Sequence, residues 1–112
     1  MKITEIVIAD SRQVLYLVTF GIVAVMCNLP FREGWYLKVF HRNRRIGIVK
    51  VIACEKNTAK NRRKYAHISG FSSVNDWIKS EMKRRKRLPF YILVLKLIHS
   101  DVGRYAPLSR FL

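Results

Sequence analysis

The chain reads as a small α+β domain in which a mixed β-barrel is flanked by helices. Three observations carry this. Strand-like runs outnumber helix-like ones across the 112 residues. The middle of the chain has hairpin signals, and those argue against an all-parallel sheet. Half of the residues are hydrophobic, enough for a real core in one domain spanning residues 1–112.

The elements follow in order. "ITEIVIA" (3–9) is a short strand. "DSRQVLYLVTFG" is a helix, with Asp10 or Ser11 to cap its start and Gly21 suited to the left-handed residue after its end. "IVAVMC" (22–27) is too short and too uniformly apolar for anything but a buried strand, and "NLPFREG" is a loop. "WYLKVFH" (35–41) and "IGIVKVIACE" (46–55) are strands joined by the tight basic turn "RNRR", and Gly47 marks a bulge or a close backbone approach. "KNTAKNRRKYAHISG" is a short helix or a long loop, with Gly70 past its end. "SSVNDWIKSEMKRRK" is the clearest helix: Ser73 and Asp76 fit a capping pattern, and Val74, Trp77, Ile78 and Met82 form its apolar face. Leu88-Pro89 breaks the chain before the last strand, "FYILVLKLI" (90–98). The tail, 99–112, has no pattern beyond Tyr105, Leu108, Phe111 and Leu112, which are placed to dock on the body.

Charge is the strongest functional signal. The chain has 22 Lys and Arg against 7 Asp and Glu, a formal charge of +15. Residues 41–112 hold 18 of those 22 bases against Glu55, Asp76, Glu81 and Asp101. Self-repulsion on this scale opposes folding, and a polyanion offsets it: nucleic acid first, an anionic membrane surface second. The bases form three clusters: Arg42, Arg44 and Arg45; Lys60, Arg62, Arg63 and Lys64; and the run Lys83–Arg87. Of that run, Lys83, Arg84, Lys86 and Arg87 are read as phosphate contacts, whereas Arg85 continues the apolar stripe and lays its stem on the body. Arg outnumbers Lys in the clusters, which suits bidentate phosphate contact, and Tyr65 and His67 offer stacking surface beside the second cluster. Each cluster also has an ordinary explanation as solvated surface or helix-end charge.

Other chemistry has little sequence support. Cys27 and Cys54 are read as small buried hydrophobes, and His41, His67 and His99 are too scattered for a metal site. No cofactor is indicated. No nucleophile–base or paired-carboxylate spacing stands out. Glu55, at a strand end, is the one acid placed to act as a base, with a neighbouring Lys or Arg as its alternative partner. Tyr36, His41, Tyr65 and His67 are the side chains available to a metal-independent ribonuclease, and no spacing selects them. Trp77 belongs to the core; Trp35 is read as core, with exposure for stacking as the alternative. Residues 13–31 carry no charge before Arg32, but reach membrane-spanning length only by including Gln13, Asn28 and Pro30. Glu5 and Asp10 spoil a secretory signal, so the chain is expected in the cytoplasm.

The stretch "GFSSVNDWIKSEM", a basic loop and "FYILVLKLI" resemble the closing half of an ASCH domain of the PUA-like superfamily. "REGWYLKVF…RRIGIVKVI" and the helix "SRQVLYLVTFG" extend the resemblance over residues 3–98. It implies a PUA-like barrel and RNA, before DNA, as partner. The family also contains proteins similar to ribonucleases and nucleoside hydrolases, whose chemistry rests on a Gly-x-Lys-Thr-like stretch after the first helix. Here Gly21 matches, but Val23 stands at the Lys position and Ala24 at the Thr position. The resemblance therefore implies RNA binding and leaves inherited hydrolysis without its central polar groups.

Overall fold

The computed structural model describes residues 4–102. It contains strand β1 (Thr4–Val7), helix α1 (Ser11–Phe20), strands β2 (Ile22–Cys27), β3 (Tyr36–His41) and β4 (Arg44–Lys56), helix α2 (Ala59–Tyr65), a 3-10 turn (Ala66–Ile68), helix α3 (Val74–Arg84) and strand β5 (Tyr91–Ser100). The strands form one mixed sheet in the order β1-β3-β4-β5-β2. Only β1 and β3 run parallel; the other neighbours are antiparallel. β1 and β2 are the edges, and no ladder joins them. The architecture is thus α+β around an open sheet.

Local chemistry sets the element ends. Asp10 accepts from the Arg12 N–H and caps α1, and Gly21, at φ 77, ends it in the left-handed region. Thr58 caps α2 and Ser73 caps α3, the latter through the Asp76 N–H as the sequence pattern requires. The β3–β4 hairpin turns on Arg42 and Asn43, both with positive φ (51 and 64), the conformation of a two-residue turn whose twist matches its strands. Arg44 and Arg45 already belong to β4.

The apolar runs of β2 and β5 are uniform because both faces of the sheet are buried. Val23, Val25, Leu93 and Leu95 enter one core with Val14, Leu17, Leu37, Val39, Val49 and Val51. Their neighbours Ala24, Met26, Ile92 and Val94 enter a second core with Phe71 and Trp77, beneath α3 and the 3-10 turn. Gln13, buried on α1, ties these layers: its Nε2 donates to the carbonyls of Ala24 and Ser69, 3.0 Å each. His41 does the same at the hairpin end. Its Nδ1 lies 2.7 Å from the Ile8 carbonyl, which can only accept, so Nε2 is left to accept from the Ser11 hydroxyl at 3.2 Å.

The expected apolar face of α3 needs correction. The inward residues of α3 are Trp77, Ser80 and Glu81, whereas Met82 is 43% exposed. The helical period is as expected, but the face is rotated, because Ser80 hydrogen-bonds Asp10 at 2.8 Å and Glu81 is held by Arg84. As expected, the segment 13–31 is the body of α1, then β2, then a loop. No helix among the described residues is long and apolar enough to cross a membrane. The last strand runs on through Ser100, and the tail residues Tyr105, Leu108, Phe111 and Leu112 lie outside the described residues.

Gly47 is a close approach, and a bulge sits beside it. β3 loses register between Val39 and Phe40 because Ile46 is an extra residue on β4. A Cβ on Gly47 would stand 2.1 Å from the His99 carbonyl oxygen. Gly47→Ala is therefore expected to force β4 and β5 apart and to cost about 1–3 kcal/mol, the usual range for overpacking. Urea denaturation checks this; an unchanged midpoint would contradict the close packing.

Candidate nucleic-acid interface

The three basic clusters do not share one face. Arg44 opens β4 and Lys56 closes it, so the hairpin cluster and the α2 cluster sit at the two ends of the longest strand, which is 13 residues long. The α2 cluster instead meets the chain that follows Lys83–Arg87. β4 pairs with β5 in the register Lys56↔Tyr91, which sets the start of α2 beside residues 88–91.

Asn57 makes the junction. Its backbone N–H donates to the Phe90 carbonyl and its Nδ2 to the Pro89 carbonyl, both at 2.8 Å. Its Oδ1 accepts from Arg62 Nη1, also at 2.8 Å. Around this amide lies a groove of about 500 Å³, walled by Lys56, Thr58, Arg62, Leu88, Pro89, Phe90 and Tyr91. No acid lines it.

The predicted contacts divide by their partners. Lys60, Arg63, Lys83, Lys86 and Arg87 are exposed and make no ion pair among the described residues, and the same holds for Arg42 and Arg44 at the far hairpin. Lys56, outside the predicted clusters, joins the unpaired group. Arg45 is bound to Asp101, which also faces His99. Lys64 stands 3.6 Å from Glu55 and over the Tyr65 ring. Arg84 is bound to Glu81 at 2.9 Å. Arg62 is turned inward: one nitrogen is on Asn57, and its Nε is buried without a partner.

A smaller cleft of about 190 Å³ opens between the edge strands and the end of α3, walled by Ile6, Val7, Val25, Met26, Leu29 and Phe31, with Glu81, Arg84 and Arg85 at one side. Glu81 is 2% exposed. Burial pushes its carboxyl up; Arg84 and Arg85 offset only part of this, and Asp10 adds to it. Asp10 goes the other way. Burial raises it, but hydrogen bonds from Arg12 and Ser80 outweigh that and hold it at about 2. Arg85 lies 3.5 Å from Glu81, so it reaches the body as expected, but through a carboxylate and not through its stem alone.

Of the side chains named for catalysis only Glu55 and Tyr65 come together, beside Lys64; the others lie apart. His41 is spent on Ile8 and Ser11 at one end of β4. Tyr65 lies beyond the other end. Tyr36 lies under Lys50, and His67 is exposed on the 3-10 turn. Glu55 faces Lys64. Val23 and Ala24 are fully buried and enter opposite cores, so no polar group stands where the ASCH pattern has Lys and Thr. Cys27 and Cys54 are free and half-buried, and burial raises both thiols. Trp35 is half-buried, edge-on to Phe31. Among the described residues no group of three His, Cys, Asp or Glu is placed to hold a metal ion.

Asn57, Phe90, Glu81 and Gln13 were not singled out by sequence. Glu81 had a signal: it stands four residues after Trp77, on the same helical face. The chain matches no known family model, no curated protein and no solved structure.

Glu81 sets a pH dependence. Its folded-state value is raised above 4.5, so its contribution to stability is complete below pH 4.5 and is lost as pH rises through the folded-state value. Glu81→Gln removes that loss. Urea unfolding from below pH 4.5 to neutrality should show the wild type losing stability relative to the variant as pH rises. Parallel curves would contradict the assignment.

Proposed function

We propose that this chain is a nucleic-acid-binding module, with RNA before DNA as its partner, built as an open PUA-like barrel. The observation that carries it is the acid-free groove at the α2–β5 junction, with Lys56 and Arg62 on its wall and the exposed, unpaired Lys60 and Arg63 on the same helix as Arg62. Phosphates are the ligand such a groove fits: each unpaired Lys or Arg that meets one releases a condensed counterion. The chain's charge of +15 and the resemblance to RNA-binding PUA-like domains support the same reading. Arg45, Lys64 and Arg84, which have acid partners, are placed behind the free residues in importance. The free thiols fit a reducing compartment, the cytoplasm.

Hydrolysis has less behind it. Of the two acids lining the small cleft, Glu81 is tied to two arginines and Glu5 is exposed on β1, while Tyr65 meets Glu55 and no histidine is bonded to either among the described residues.

The test is the variant with Lys60, Arg63, Lys86 and Arg87 all changed to Ala. In the plot of log affinity against log salt for a single-stranded RNA, each lost phosphate contact should flatten the slope by about 0.7. The loss should be uniform across sequences. Unchanged affinity and slope would overturn the reading, as would a nuclease-treated wild type that binds no RNA or DNA at low salt.

A further inference from the structure

We infer that the α2–β5 groove selects single strands by stacking one unpaired base on Phe90, with the adjoining phosphates on Arg62 and Lys56. This rests on the RNA-binding reading and deepens it.

Phe90 is 63% exposed, although burying a Phe side chain stabilises a fold by roughly 1.5–3 kcal/mol. It is held outward by its own main chain. Its N–H donates to Asn28 Oδ1 at 3.1 Å, its carbonyl accepts from the Asn57 N–H, and the preceding carbonyl accepts from Asn57 Nδ2. These bonds fix the backbone at Phe90, so turning its Cβ toward the core would break them. Tyr91 meets it edge-on, with centroids 6.5 Å apart, a second aromatic surface beside the exposed ring.

Arg62 is the second observation. Asn57 fixes its guanidinium in the same groove, yet its Nε is buried with no acceptor. That buried nitrogen is out of a ligand's reach, but Nη2 makes no hydrogen bond among the described residues and is not buried, so the guanidinium held by Asn57 offers it to an anionic oxygen in the groove. With cations but no acid on the walls, the groove complements an anion joined to a flat apolar body. A nucleotide with an exposed base is such a ligand. In a duplex the base faces are stacked on each other, so only an unpaired base can offer one to Phe90.

The full chain is titrated against labelled oligouridine and against an RNA duplex of equal length, over a range of salt. Phe90→Ala should weaken single-strand binding roughly tenfold. Duplex binding and both salt slopes should stay as in the wild type. Phe90→Trp should keep or strengthen single-strand binding. The ring is exposed, so both variants should keep the wild-type unfolding midpoint. An equal loss on both RNAs, or no loss at all, overturns the stacking role. If the variant with Lys60, Arg63, Lys86 and Arg87 changed to Ala still flattens the salt slope in that case, phosphate binding stands and only the stacking fails. If the wild type binds neither RNA, or binds only an acidic protein, both readings fall.

Discussion

Everything in this fold is hung on the antiparallel ladder between β4 and β5. It runs from Gly47↔Ser100 to Lys56↔Tyr91, and it closes only because Gly47 has no side chain to meet the His99 carbonyl. Extra residues at Ile52 on β4 and Ile98 on β5 let the pair twist without losing its partners. β3 and β1 attach along one side and β2 along the other, so each remaining strand takes its register from this pair. The ladder's last rung also brings Asn57 to Pro89 and Phe90. The groove is thus a consequence of strand register, and a slip of one residue would dismantle it.

The electrostatics follow the same geometry. The acids that this basic chain has are mostly committed: Asp10 to Arg12 and Ser80, Glu81 to Arg84 and Arg85, Asp101 to Arg45 and His99, Glu55 to Lys64. They neutralise cations close to the body and leave the outer ones of α2 and the 83–87 segment unpaired. Exposed like charges repel over roughly a Debye length, about 8–10 Å near physiological salt. Their mutual repulsion opposes folding, and counterions or a bound anion reduce it.

How much of this was legible in the sequence depended on distance along the chain. Caps and breaks were readable because they are local: Asp10, Gly21, Ser73 and Gly70 act on residues within a turn of themselves. The uniform runs of β2 and β5 announced strands buried on both faces. The face of α3 was misjudged at Met82, since Ser80 turns inward toward an aspartate 70 residues away. The basic clusters were visible, but not their division. Arg45 is neutralised by Asp101, 56 residues on, and nothing in "RNRR" foretells it. Asn57 lay in a segment read only as a short helix or a long loop. Its role needs the register that sets it against Pro89. The open sheet was equally out of reach, because closure depends on whether two edge strands far apart in sequence meet.

The central claim is that nucleic acid lies across the α2–β5 end of the molecule. Photo-crosslinking of the full chain to a single-stranded RNA carrying 5-iodouridine, followed by mass spectrometric mapping, tests it most directly. The account predicts adducts on the aromatic residues of that end, Phe90 and Tyr91 first. Adducts confined to Phe40 and the Arg42–Arg45 hairpin, at the opposite end of β4, would contradict it.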